Sequence, residues 1–177
     1  MKILKTPFKD LVIIKSKQFY DNRGYFRELI REVNIKQKFF FNIVSYSKKN
    51  VIRGLHYQKI KPQGKFISVV KGKILDVAVD IRIKSKTYGK HYKIILSDKN
   101  GTSVFIPPGF AHGFLSLEKE NIVVYSCTNY RHQKSERGIL WNDKQLKIKW
   151  PIKKPIISKK DSLNILFKDF ENDKKKN

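Results

Sequence analysis

Ile74-Leu75-Asp76-Val77-Ala78-Val79-Asp80-Ile81 is the stretch that decides the fold class. Six of its eight residues are apolar and four are β-branched, a composition that suits extended backbone. Successive side chains of a strand point to opposite faces, so the two aspartates, four apart, share one face. Outward from it, residues 11–14, 66–70, 92–97, 103–106 and 122–127 are further short apolar or β-branched runs. Turn signals separate them: Asn22-Arg23-Gly24, Lys71-Gly72, Lys99-Asn100-Gly101 and Pro107-Pro108-Gly109. Short strands at this spacing predict an all-β sandwich or barrel. Residues 27–38, and residues 163–167 after Ser158 and Asp161, read as short helices. No internal repeat is visible. The polar residues 171–177 end in a lysine run and read as a tail, frayed from Asp173 onward. That leaves residues 1–170 as one domain.

The 177 residues fit one domain with its own core. A hydrophobic fraction of 40% argues against a disordered chain. The single cysteine, Cys127, excludes an internal disulfide framework and a multi-cysteine zinc site, and points to a reducing, cytoplasmic compartment. No apolar run approaches the ~20 residues of a membrane helix, so no membrane partner is expected. The net charge of +24 raises nucleic acid as a partner. Only seven of the 39 cationic residues are arginine, the side chain that phosphate and base recognition favours. The lysines are scattered rather than striped, which favours a solvated basic surface over a nucleic-acid site. Such a field also steers an anionic small substrate.

A metal-binding β-barrel needs His-x-His with a carboxylate soon after. In Arg53-Gly54-Leu55-His56-Tyr57-Gln58, Gln58 stands where the second histidine would be. The four histidines, His56, His91, His112 and His132, lack paired spacing, so no metal is expected. There is no phosphate-binding glycine loop and no Gly-x-Ser-x-Gly elbow. Cys127 lies in an apolar strand pattern and reads as a buried structural thiol. Taken alone, His56 and His112 read as structural residues, and Tyr125 as core.

Several segments taken together change that reading. They are residues 21–28 (Asp-Asn-Arg-Gly-Tyr-Phe-Arg-Glu), residues 53–58 (Arg-Gly-Leu-His-Tyr-Gln), Gln63-Gly64-Lys65-Phe66, residues 76–82 with Thr87-Tyr88-Gly89, residues 106–114 (Ile-Pro-Pro-Gly-Phe-Ala-His-Gly-Phe), Trp141-Asn142-Asp143, and residues 157–161 (Ile-Ser-Lys-Lys-Asp). From about Leu11 to Asp161 the chain resembles the dTDP-4-dehydrorhamnose 3,5-epimerase family. The resemblance implies a double-stranded β-helix, a cupin-like jelly roll with a few short helices. It implies a homodimer whose N-terminal strands cross to the neighbouring subunit. The substrate it implies is a nucleotide-diphosphate 4-keto-6-deoxy sugar, inverted at C3 and C5 on the way to dTDP-L-rhamnose for surface polysaccharide.

The residues suit that chemistry. A proton beside a ketone is acidic only when the enolate is stabilised, so a base, an oxyanion partner and an acid are needed. By the resemblance, His56 is the base and Asp161 orients it. Lys65 holds the oxyanion, and Tyr125 returns the proton from the other face. Arg23, Arg53 and Lys160 contact phosphate or sugar, and Phe26, Glu28, His112 and Glu136 complete the pocket. No cofactor is implied. The family has Gln-x-Asn-x-Ser where this chain has Phe41-Asn42-Ile43-Val44-Ser45, so two amide contacts are replaced by Phe41 and Ile43. That leaves two other readings: a related 3- or 5-epimerase acting on another nucleotide-linked 4-keto sugar, or a non-catalytic basic barrel binding nucleic acid.

Overall fold

The computed structural model describes residues 1–175. Thirteen strands dominate them. In chain order they are β1 (Lys2–Lys5), β2 (Val12–Lys15), β3 (Gln18–Asp21), β4 (Gly24–Arg27), the one-turn helix α1 (Glu32–Ile35), β5 (Phe41–Lys48), β6 (Ile52–Gln58), β7 (Lys65–Lys71), β8 (Lys73–Asp80), β9 (His91–Ser97), β10 (Thr102–Ile106), β11 (Phe110–Ser116), β12 (Glu120–Cys127) and, after a 3-10 turn at Gln133–Ser135, β13 (Glu136–Gly138). Helices α2 (Lys159–Ser162) and α3 (Phe167–Lys175) close the chain. Two antiparallel sheets face each other in the orders β1-β2-β10-β7-β12-β5 and β13-β6-β11-β8-β9; β3 and β4 pair only with one another. This is the jelly roll that the resemblance implied.

β8 shows why the sheets stack. Ile74 and Ala78 point into the space between the sheets with Ile67, Val69, Val104, Phe114 and Val123. Leu75, Val77, Val79 and Ile81 point the other way, onto a second core with Tyr57, Ile139, Leu146, Phe167 and Phe170. A strand buried on both faces reads as a near-continuous apolar run, as residues 74–81 do. On the outer face of the other sheet, residues of the 29–39 segment pack over Ile14, Phe66 and Phe105.

The helices differ from expectation. Residues 27–38 hold a single turn, because Arg27 belongs to β4 and Lys36 takes the left-handed conformation (φ 55°) that ends α1. Leu29, Ile30, Ile35 and Phe39 are spent on the sheet rather than on a helix face. Residues 163–166 are the break between two helices, and Phe167 begins the second. Ser158 caps α2 by accepting the Asp161 N–H at 3.1 Å, which starts that helix early. Ile165 then makes a β-bridge with Ile139. The tail expected over residues 171–177 is helical to Lys175, because buried Phe167 and Phe170 anchor α3 on the sheet; Lys176 and Asn177 lie outside the described residues.

Asp80, on the same face of β8 as Asp76, fastens the turn after the strand. Its Oδ1 accepts from Arg82 N and Nε (3.0 and 2.9 Å), and its Oδ2 from Arg82 Nη2, Ser85 Oγ and Thr87 Oγ1 (2.7, 2.6 and 2.6 Å). Burial pushes this carboxyl up, but the hydrogen bonds from Arg82, Ser85 and Thr87 outweigh it and bring it from 3.8 to about 2. The ionised form therefore contributes stability above the unfolded value, and loses it as pH falls through about 2. At ~1.4 kcal/mol per unit this amounts to about 2 kcal/mol. Asp80→Asn is expected to unfold at lower denaturant than wild type at pH 7, with the gap narrowing between pH 4 and pH 2. A gap independent of pH would refute this account.

Candidate active site

β6 supplies one wall of the site through an irregularity. On a regular strand Arg53 and His56, three apart, would face opposite ways. The β6–β11 register gains one residue on β6: His56 pairs with His112, but Arg53 pairs with Phe114. This bulge turns Arg53 and His56 into the same space and leaves Leu55 and Tyr57 in the core behind. Gly54 makes the bulge feasible. Its φ is 128°, and a Cβ there would lie 2.5 Å from Gly113 Cα on β11.

Two histidines thus face the space side by side, each backed by a carboxylate. His56 Nε2 donates to Asp161 Oδ1 at 2.6 Å, and Asp161 Oδ2 accepts the Gly54 N–H at 3.2 Å. His112 Nε2 meets Asp76 Oδ2 at 2.7 Å. Burial alone would raise the Asp161 carboxyl, but its bonds to His56 and Gly54 and the nearby Lys160 hold it below the usual value. An ionised Asp161 requires the N–H on Nε2, which leaves Nδ1 of His56 as the basic nitrogen.

The opposite sheet supplies the other wall. Lys65 on β7 lies directly across from Cys127 on β12, and Tyr125 lies across from Ile43 on β5. Tyr125 Oη is 3.3 Å from Ser45 Oγ. Burial pushes the Tyr125 phenol upward, against the opposing effect of Ser45, so it stays protonated at neutral pH. Burial pushes the Lys65 ammonium downward, while Cys127, Glu136 and Asp76 pull it back. At the mouth, Glu136 on β13 is held by Arg131 (2.6 and 3.0 Å) and Lys160 (3.4 Å). Arg131 is the main cause that brings its carboxyl to about 2.

Of the expected residues, His56, Lys65, Tyr125, Arg53, His112, Glu136 and Lys160 line one cleft of about 340 Å³, with Asp161 behind His56. Arg23, Phe26 and Glu28 do not reach it within the chain. Arg23 sits at the tip of the β3–β4 ribbon with its guanidinium on Asp21 (2.7 Å), Phe26 is exposed, and Glu28 is bound to Arg31. Cys127 is buried as expected, yet it also lines the cleft. Arg131 was not expected; five residues before Glu136, in a loop without pattern, it carries no signal of its own. A larger cleft of about 580 Å³ lies beyond Gln58 and Gln63, over Tyr57, Ile81, Phe110 and Phe170, and contains none of the expected residues. Among the described residues no group of three or more His, Cys, Asp or Glu side chains is placed to hold a metal ion, and no helix is long and apolar enough to cross a membrane.

A family model described as dTDP-4-dehydrorhamnose 3,5-epimerase matches residues 5–169. The dTDP-4-dehydrorhamnose 3,5-epimerase of Methanothermobacter thermautotrophicus is 43% identical over 168 residues, 90% of this chain and 91% of that one. A crystal structure of the Legionella pneumophila dTDP-6-deoxy-D-glucose-3,5-epimerase in complex with dTDP-4-keto-L-rhamnose superposes with a TM-score of 0.89 at 41% identity, covering 93% of this chain and 92% of that one. The Bacillus anthracis dTDP-4-dehydrorhamnose 3,5-epimerase, with TDP and PPi bound, superposes with a TM-score of 0.90 at 39% identity, covering 94% and 99%.

Proposed function

The chain belongs to the dTDP-4-dehydrorhamnose 3,5-epimerase family, and from that premise we propose that it converts dTDP-4-dehydro-6-deoxy-D-glucose to dTDP-4-dehydro-L-rhamnose. The observation that carries the mechanism is topological: the base and the acid come from opposite sheets, His56 from β6 and Tyr125 from β12, into one cleft. A sugar ring lying between the sheets presents one face to each. In the gluco ring the hydrogens on C3 and C5 are both axial on the same face, so one base can reach both. His56 Nδ1 removes each proton in turn, with Asp161 stabilising the imidazolium through Nε2. Lys65 holds the O4 oxyanion of the enolate, and a preorganised charge in a partly desolvated site suits that task. Tyr125 delivers a proton to the opposite face. The substrate's own ketone supplies the acidity.

The test is incubation with dTDP-4-keto-6-deoxyglucose in heavy water. Deuterium is expected at both C3 and C5 with inversion at both. Label at one carbon alone would make the protein a mono-epimerase, and label at neither would refute the reading.

The same reading includes a homodimer. Phe19, Tyr20, Tyr25 and Phe26 are exposed on the β3–β4 ribbon, which pairs with no other strand among the described residues. Crossing to a neighbour would bury these rings and bring Arg23, Phe26 and Glu28 to the neighbour's cleft. An active species that sediments as a monomer would remove the ribbon from the site.

A further inference from the structure

Arg131 is the unassigned cation of the cleft. The lining carries Arg53, Lys65, Arg131 and Lys160 against one carboxylate, Glu136, a balance that suits a ligand with more than one negative charge. These cations differ in how they are held. Lys65 is set into β7. Arg53 is pinned by Ser47 Oγ and the Tyr46 carbonyl, both at 2.9 Å. Arg131 sits in the loop between β12 and β13, half exposed, and its planar fork is closed on Glu136 through Nε and Nη2. Such a fork matches a diphosphate as well as it matches a carboxylate.

What makes the exchange feasible is Lys160. Its Nζ already stands 3.4 Å from Glu136 Oε2. When Arg131 leaves, Glu136 keeps a cation, so no unpaired carboxylate remains in the cleft. We propose that Arg131 is a substrate-reading residue: the diphosphate of the incoming nucleotide sugar draws it off Glu136, and Lys160 takes over that carboxylate. This rests on the nucleotide-sugar reading above and adds to it a switch of partner at the mouth of the cleft. Arg131 then recognises the diphosphate and has no part in proton transfer.

The experiment measures binding of dTDP and of thymidine, by calorimetry, to wild type, Arg131→Ala, Arg131→Lys and Glu136→Gln. Loss of a charge-assisted bidentate contact is expected to weaken dTDP about tenfold to a hundredfold in Arg131→Ala. Thymidine should bind unchanged. Arg131→Lys keeps the charge without the fork and should fall between the two. Glu136→Gln releases the fork in advance and should bind dTDP more tightly than wild type. If Arg131 only props Glu136, Arg131→Ala and Glu136→Gln should lose dTDP affinity alike, which would overturn the proposal. An unchanged ratio of dTDP to thymidine affinity in Arg131→Ala would overturn it as well. Turnover in heavy water by wild type tests the parent reaction separately, because the binding ratios do not depend on whether the sugar is epimerised.

Discussion

His56→Ala is expected to abolish deuterium wash-in at C3 and C5 together. General acid–base catalysis by a positioned side chain is typically about 10²–10⁴-fold, and losing the only base removes that factor from both exchanges. The competitor is His112, which faces His56 in register and has a carboxylate of its own. Access separates them. The His56 side chain is 37% exposed toward the cleft, whereas that of His112 is 5% exposed and Asp76, its partner, 1%. A ring carbon can approach the first imidazole more readily than the second. His56→Asn, closer in size, should fold as wild type does and lose the same exchange. Wash-in at C5 near the wild-type rate in either variant would show a second base and break the assignment.

What could be read without the structure divides along physical lines. β8 was legible because a strand buried on both faces keeps a near-continuous apolar run. β6 and β11 were not seen as strands, because Arg53-Gly54-Leu55-His56 and Ala111-His112-Gly113 interrupt the alternation. On β6 the interruption is the β-bulge itself, so the feature that builds the site also hides that strand. β3 and β4 were missed because their aromatic residues are exposed on both sides of the ribbon, with no polar alternation to mark a face. The His56–Asp161 pair spans 105 positions, and only the likeness to family segments linked its members. Phe41 and Ile43 were recognised as departures, and the structure gives them different places. Ile43 lines the cleft opposite Tyr125, while Phe41 stacks on Tyr130 with ring centroids 5.8 Å apart. Asn42 faces away from the cleft and accepts from Ser126 Oγ at 2.7 Å, so it does not stand in for the missing amides.

Tyr125→Phe is expected to separate exchange from inversion. The variant removes one oxygen and keeps the ring, which touches His112 edge-on with centroids 6.2 Å apart. The hydroxyl gives up a hydrogen bond with Ser45, at a long 3.3 Å, so the fold should tolerate the change. His56 and Lys65 remain, and the enolate still forms. Deuterium therefore still washes in, delivered back by His56 from the face the proton left. Delivery from the far face fails, because the Tyr125 hydroxyl is the donor on that wall: Ile43 beside it carries no proton to give, and Cys127 is fully buried. Net epimerisation should fall by about 10²–10⁴-fold while wash-in falls much less. If Tyr125 were only a strand residue, phenylalanine would be nearly silent in both readouts. Wash-in and product stereochemistry measured on one sample decide the matter, and inversion at the wild-type rate would remove Tyr125 from the mechanism.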